Sequence, residues 1–86
     1  MMRDEVRSPT KHHLVLRRID HEEGVARFYS LMIERDLFGT VRLVRNWGRI
    51  GTNGQKLVEV FAGELEADQA LEAVVAAKRR RDYQDL

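Results

Sequence analysis

The spacing of hydrophobic residues changes once along the chain, at Gly63. Before it the pattern is that of strands. His13 to Ile19 carries Leu14, Val15, Leu16 and Ile19 and predicts a first strand, followed by the polar, glycine-ended turn Asp20-His21-Glu22-Glu23-Gly24. Ala26 to Glu34, with Phe28, Tyr29, Leu31, Met32 and Ile33, reads as a central strand. After a turn through Gly39, Val41 to Trp47 alternates. Val41, Leu43, Arg45 and Trp47 fall on one face, and Arg42, Val44 and Asn46 on the other. Asn53-Gly54 is a hairpin signal, and Gln55 to Phe61 is the fourth strand. From about Leu65 to Arg80 the steps become three and four. Ala67, Ala70, Leu71, Val74 and Ala77 or Lys78 line one face of an alanine-rich helix. Strands followed by one helix predict an α+β fold: a twisted antiparallel sheet of about four strands with one C-terminal helix packed on one face. Residues 1–12 have no periodicity and are expected to be a flexible tail, with a single domain over 13–86.

Composition narrows the function. The 86 residues suit one small domain. The absence of cysteine removes disulfides, cysteine nucleophiles and thiolate metal sites, and 43% hydrophobic residues suffice for a core. No apolar run approaches the roughly 18 residues of a membrane span, which sets a cytoplasmic expectation. His12-His13 alternate across a strand and His21 stands apart, so no metal site is expected. Ser30 lies mid-strand without a nucleophile elbow, and the glycine-rich loop lacks a Walker ending, so neither a catalytic group nor a cofactor is expected.

The net charge of +1, from 15 Lys and Arg against 14 Asp and Glu, speaks against a polyanion partner until the distribution is examined. Acids gather at Asp20, Glu22 and Glu23, and again at Glu64, Glu66, Asp68 and Glu72. Between Leu37 and Val58 there is none. That window holds Arg42, Arg45, Arg49, Lys56, the only Trp, both Asn and four of the six Gly. A second basic block, Lys78-Arg79-Arg80-Arg81, also complements the helix dipole, so it has a structural explanation beside a functional one. A strand-end Trp47 can offer a ring face to a base. Gly48 and Gly51 would let the backbone come close to a partner, and Arg49 between them, with Arg42, Arg45 and Lys56, can meet phosphates. The plainer alternative is that Trp47 caps a small core, the glycines make a turn, and Arg49 pairs with a nearby acid.

The string Asn46-Trp47-Gly48-Arg49-Ile50-Gly51, with Gly54-Gln55, Phe61, Ala70, Lys78 and Tyr83 in order around it, resembles the WGR domain. That module occurs in DNA-dependent poly(ADP-ribose) polymerases and in many bacterial proteins. The resemblance runs from about His13 to Tyr83. It implies a twisted antiparallel sheet with a helix on one face, and nucleic-acid binding without catalysis. By motif, Trp47 would pack against a strand end, Arg49 would contact DNA or a neighbouring domain, and Asn46 would meet a terminal phosphate. The expected reading is a stand-alone bacterial module, accessory to DNA repair, that binds DNA ends or junctions in preference to RNA. Its site residues are Trp47, Arg49, Asn46, Arg45, Arg42, Lys56, Gly48 and Gly51. The alternative is a protein-interaction adaptor that docks a DNA-processing enzyme or self-associates. Where the family often ends in Lys-Gly-Tyr this chain has Arg81-Asp82-Tyr83, which gives little ground for a final strand after the helix.

Overall fold

The computed structural model describes residues 10–86. Two long strands, β1 (Thr10–Asp20) and β2 (Val25–Arg35), form a hairpin. β3 (Val41–Arg49) and β4 (Gln55–Phe61) form a second. Helix α1 (Glu64–Arg79) follows, and a two-residue strand, β5 (Gln84–Asp85), ends the chain. The sheet is antiparallel in the order β4-β3-β2-β1-β5. The tail expected over 1–12 lies mostly outside the described residues, and β1 starts at Thr10, ahead of the expected His13.

The register explains which residues are buried. Leu14 lies opposite Leu31 and Leu16 opposite Tyr29, while Leu31 faces Arg45 and Ile33 faces Leu43. These alternate positions share the face that α1 covers. Leu16, Leu31, Ile33 and Leu43 are wholly buried there with Val41, against Ala67, Leu71 and Val75 of the helix. Each such side chain removed from water contributes roughly 1.5–3 kcal/mol. Ala70 and Val74 pack beside them, so the helical face is the expected one widened by Val75.

The fifth strand corrects the expectation of none. Asp82 takes a left-handed φ of 71°, and the Asp82 and Tyr83 amides donate to the Arg79 and Lys78 carbonyls, a Schellman-type stop. The chain reverses there. Leu16 then pairs with Asp85, the Leu86 amide donates to Val15 at 3.0 Å, and Arg79 grips Asp85 through two hydrogen bonds of 3.1 and 2.7 Å. A side-chain clamp, not strand propensity, fixes this short element.

Among the described residues no helix is long and apolar enough to cross a membrane.

Candidate nucleic-acid interface

Trp47 sits two residues from the end of β3, and the loop beyond it is shaped by glycine. A Cβ on Gly54, whose φ is +72°, would overlap the Trp47 carbonyl oxygen and come within 2.9 Å of the Phe28 ring. A Cβ on Gly48 would lie 2.7 Å from the Gly54 Cα. The motif glycine Gly48 therefore makes room for the returning strand, a local reason beside the expected approach to a partner. Gly51, at φ +95°, makes the turn itself. Asn46 closes the loop by donating from Nδ2 to the Gln55 and Asn53 carbonyls at 2.6 and 3.3 Å. The Thr52 hydroxyl donates to the Arg49 carbonyl at 2.7 Å.

Strand register divides the expected site residues between the two faces. Trp47 lies opposite Tyr29, Arg45 opposite Leu31 and Arg49 opposite Arg27. All three continue the helix-bearing face. Arg42, Asn46 and Lys56 belong to the opposite, open face. Arg42 is held there by Glu34 at 3.5 Å and Asp36 at 3.3 Å. Arg45 has Glu59 3.7 Å from its Nε. The window that is free of acids in sequence is thus not free of them in space, because antiparallel pairing brings acids from just outside it alongside. Arg49 is exposed and meets no acid among the described residues.

α1 ends before the sheet does. At its last turn, where Lys78 lies over Tyr29, and just past it, the covered face carries two rows of side chains. One row is Leu16, Tyr29 and Trp47, and the next is Arg18, Arg27 and Arg49, each set registered across β1, β2 and β3. The Tyr29 and Trp47 rings stack at 5.6 Å and 13°, and Tyr83 meets Tyr29 edge-on at 6.5 Å. The Lys78 ammonium lies 4.4 Å from the Tyr29 ring centre and 5.3 Å from that of Tyr83. Together with Arg18, Arg27, Arg81 and Val25 these aromatic and basic side chains line an open cleft of about 400 Å³ that no acid lines. Arg27 and Arg49 border a neighbouring hollow of about 290 Å³, shared with Glu23 of the β1–β2 turn.

Trp47 therefore has one ring face against Tyr29 and remains half-buried at the cleft wall. Tyr29 belongs to the core and to the cleft at once. Among the described residues Arg18, Arg27, Lys78 and Arg81 have no acidic partner, whereas Arg35, Arg45 and Arg79 each have one and Arg42 has two. Burial pushes the Lys78 ammonium below its ordinary 10.5, and repulsion from Arg81, Arg45 and Arg27 pushes the same way. The cleft thus concentrates positive charge that nothing within it neutralises, beside aromatic surface. That chemistry suits a phosphate-bearing, base-bearing ligand.

Arg18 and Arg27 were not among the residues expected to form the site. They lie 29 and 20 positions before Trp47, and only strand register brings them to it. Lys78 and Arg81 stood in the C-terminal basic block, where a helix-dipole role competed. Among the described residues no cluster of three or more metal-ligating side chains occurs.

An antiparallel sheet with one helix across half of one face, and a cationic aromatic cleft where the helix stops, defines a class of small binding module. The WGR domain profile matches residues 12–86, and the chain belongs to that family, whose members are nucleic-acid-binding modules. The chain is similar to the uncharacterized protein y4dW of Sinorhizobium fredii, 40% identical over 72 residues, which are 84% of this chain and 35% of y4dW. It is also similar to a protein of known crystal structure from Bacteroides fragilis. That match has a TM-score of 0.70 at 25% identity, over 87% of this chain and 19% of the other. The chain thus spans about a third and a fifth of the length of these two relatives.

Proposed function

We propose that this WGR domain binds DNA ends or single-stranded junctions through the cleft past the end of α1. Trp47, backed by Tyr29, stacks against a base or sugar at the strand terminus. Arg49, Arg27 and Arg18 meet the phosphates, with Lys78 and Arg81 on the helix side. Arg45, engaged by Glu59, supplies positive potential from the back of the cleft more than a direct contact. Asn46 acts by holding the loop that follows Arg49. An accessory role in bacterial DNA repair, in the cytoplasm, belongs to the same proposal.

The observation that carries this reading is the registered row Arg18, Arg27 and Arg49, without acidic partners among the described residues, beside the stacked Tyr29–Trp47 pair. Fluorescence anisotropy with blunt, nicked and single-stranded DNA, and with RNA of the same sequence, tests it across a salt series. Affinity is expected to fall steeply with salt, because counterions are released at each neutralised phosphate. Trp47→Ala is expected to cost about 1–3 kcal/mol of binding, most on substrates with a free end. Equal affinity for closed-circular and end-bearing duplex would refute end recognition. Unchanged affinity in Trp47→Ala would refute the cleft.

A further inference from the structure

The two edges of the sheet are finished differently. β5 pairs with the outer edge of β1. The outer edge of β4 pairs with nothing among the described residues. β4 is seven residues long and mostly exposed, with Leu57, Val58 and Val60 at 41%, 45% and 66% exposure. It holds no proline, and its pairing with β3 runs without a bulge, so two of the usual guards of a free edge are missing. Its charges are Lys56 and Glu59, and Arg45 already lies beside Glu59.

We propose that the β4 edge pairs antiparallel with the β4 of a second copy of this chain, centred on Val58, joining the two sheets into one. The two-fold axis of such a pair stands perpendicular to the sheet, so residues of the same face must meet. Centring on Val58 sets Val58 against its own copy, Lys56 against Val60, Leu57 against Glu59 and Gln55 against Phe61. Every residue of the strand then has a partner, and no like charges meet. A register centred on Glu59 would oppose two carboxylates, and one centred on Lys56 two ammonium groups, each unfavourable directly across a strand pair. Centring on Leu57 leaves the end of the strand unpaired. The open face adds to the match: Val58 and Val60 from both copies would form one apolar strip across the seam, continuous with Val44 and Met32 behind it.

The same axis keeps both clefts on one side of the joined sheet. The two Trp47 residues would stand three strand spacings apart across the sheet and six residues apart along it, roughly 25 Å in all. Two sites so placed address one nucleic acid together, which raises avidity without any new contact. This last step rests on the proposed function; the pairing itself does not.

The absence of cysteine from the sequence makes the test direct. Light scattering coupled to size exclusion, over a concentration series without nucleic acid, is expected to show the full chain reaching twice its monomer mass. Val58→Cys is expected to give a disulfide-linked dimer on mild oxidation, since directly opposed strand residues lie within disulfide reach. Ile19→Cys, equally exposed on the same face but on β1, is expected not to cross-link. Val58→Lys with Val60→Lys should weaken self-association at least tenfold while circular dichroism stays that of the parent. A chain that is monomeric at every concentration overturns the proposal. So does a dimer that cross-links at Ile19 and not at Val58, and so does binding of an added extended peptide at β4 by a chain that never pairs with itself. A parent chain that dimerises but binds no DNA would overturn the proposed function alone.

Discussion

The helix-bearing face of the sheet has two halves built from the same strands. Under α1, β2 and β3 present Leu31, Ile33, Val41 and Leu43, all buried. Beyond α1 the same strands present Tyr29, Trp47, Arg27 and Arg49. Nothing in backbone geometry separates the halves, because the pairing of β2 with β3 runs unbroken from Arg35–Val41 to Arg27–Arg49. The boundary is where the helix stops. Its last turn carries Lys78 onto the Tyr29 ring, and the reversal at Asp82 lays Tyr83 beside it. One half is therefore a core, and the other is a surface with the rigidity of a core. That is what a stacking contact needs if it is not to lose its gain in ordering side chains.

The strongest way to break the comparison is to damage the covered half. Leu43→Ala removes a wholly buried side chain and is expected to cost about 2–5 kcal/mol in denaturant unfolding, with the folded fraction binding DNA as before. A loss of affinity out of proportion to the unfolded fraction would mean the halves are not separable. Gly54→Ala tests the seam from the loop side. Its left-handed φ and the overlap with the Trp47 carbonyl are expected to cost roughly 2–4 kcal/mol, or to remodel the Trp-Gly-Arg loop. A new chemical shift for the Trp47 indole would report the second case.

Smaller effects sharpen the comparison. Arg27→Ala, in the exposed half, should lower DNA affinity and reduce the salt slope by about one. Arg42→Ala, on the open face and held by Glu34 and Asp36, should leave both unchanged. If the two variants behave alike, position relative to the cleft is irrelevant and the row of arginines is not the interface. The smallest effect is at the C-terminal clamp. The Arg79 hydrogen bond holds the Asp85 carboxyl below its ordinary 3.8. A carboxyl lowered in the folded state contributes stability that is present above the ordinary value and lost as pH falls through the folded one. Exchange protection of the Leu86 amide should therefore hold at neutral pH and fade only below about 4. Asp85→Asn should abolish that pH dependence.

Most of the fold was legible because its signals are local. The alternation of β2 to β4 and the three-and-four spacing of α1 are carried by side chains within each element. The exceptions depend on distant partners. β5 has two residues and no pattern, and it is held by Arg79. The candidate site was legible only in part. Trp47 and Arg49 stand in the motif itself. Arg18 and Arg27 needed the register of three strands to be recognised as their neighbours. Arg42 and Arg45 looked unneutralised because Asp36 and Glu59 fall just outside the acid-free window, and hairpin pairing brings them back. The alternation of β3 already assigned Arg42 and Asn46 to the face away from Trp47, so parity was the signal that divides the arginine-rich window.

Trp47 is the only tryptophan in the sequence, and it sits at the cleft wall with its ring stacked on a tyrosine. The molecule therefore carries its own optical probe. Indole emission can be excited selectively, arises from one position, and changes when a base takes the place of water beside the ring. Quenching and a wavelength shift on titration would report occupancy of this cleft alone, in unlabelled protein. Binding at the open face or at the β4 edge would leave the emission as it was.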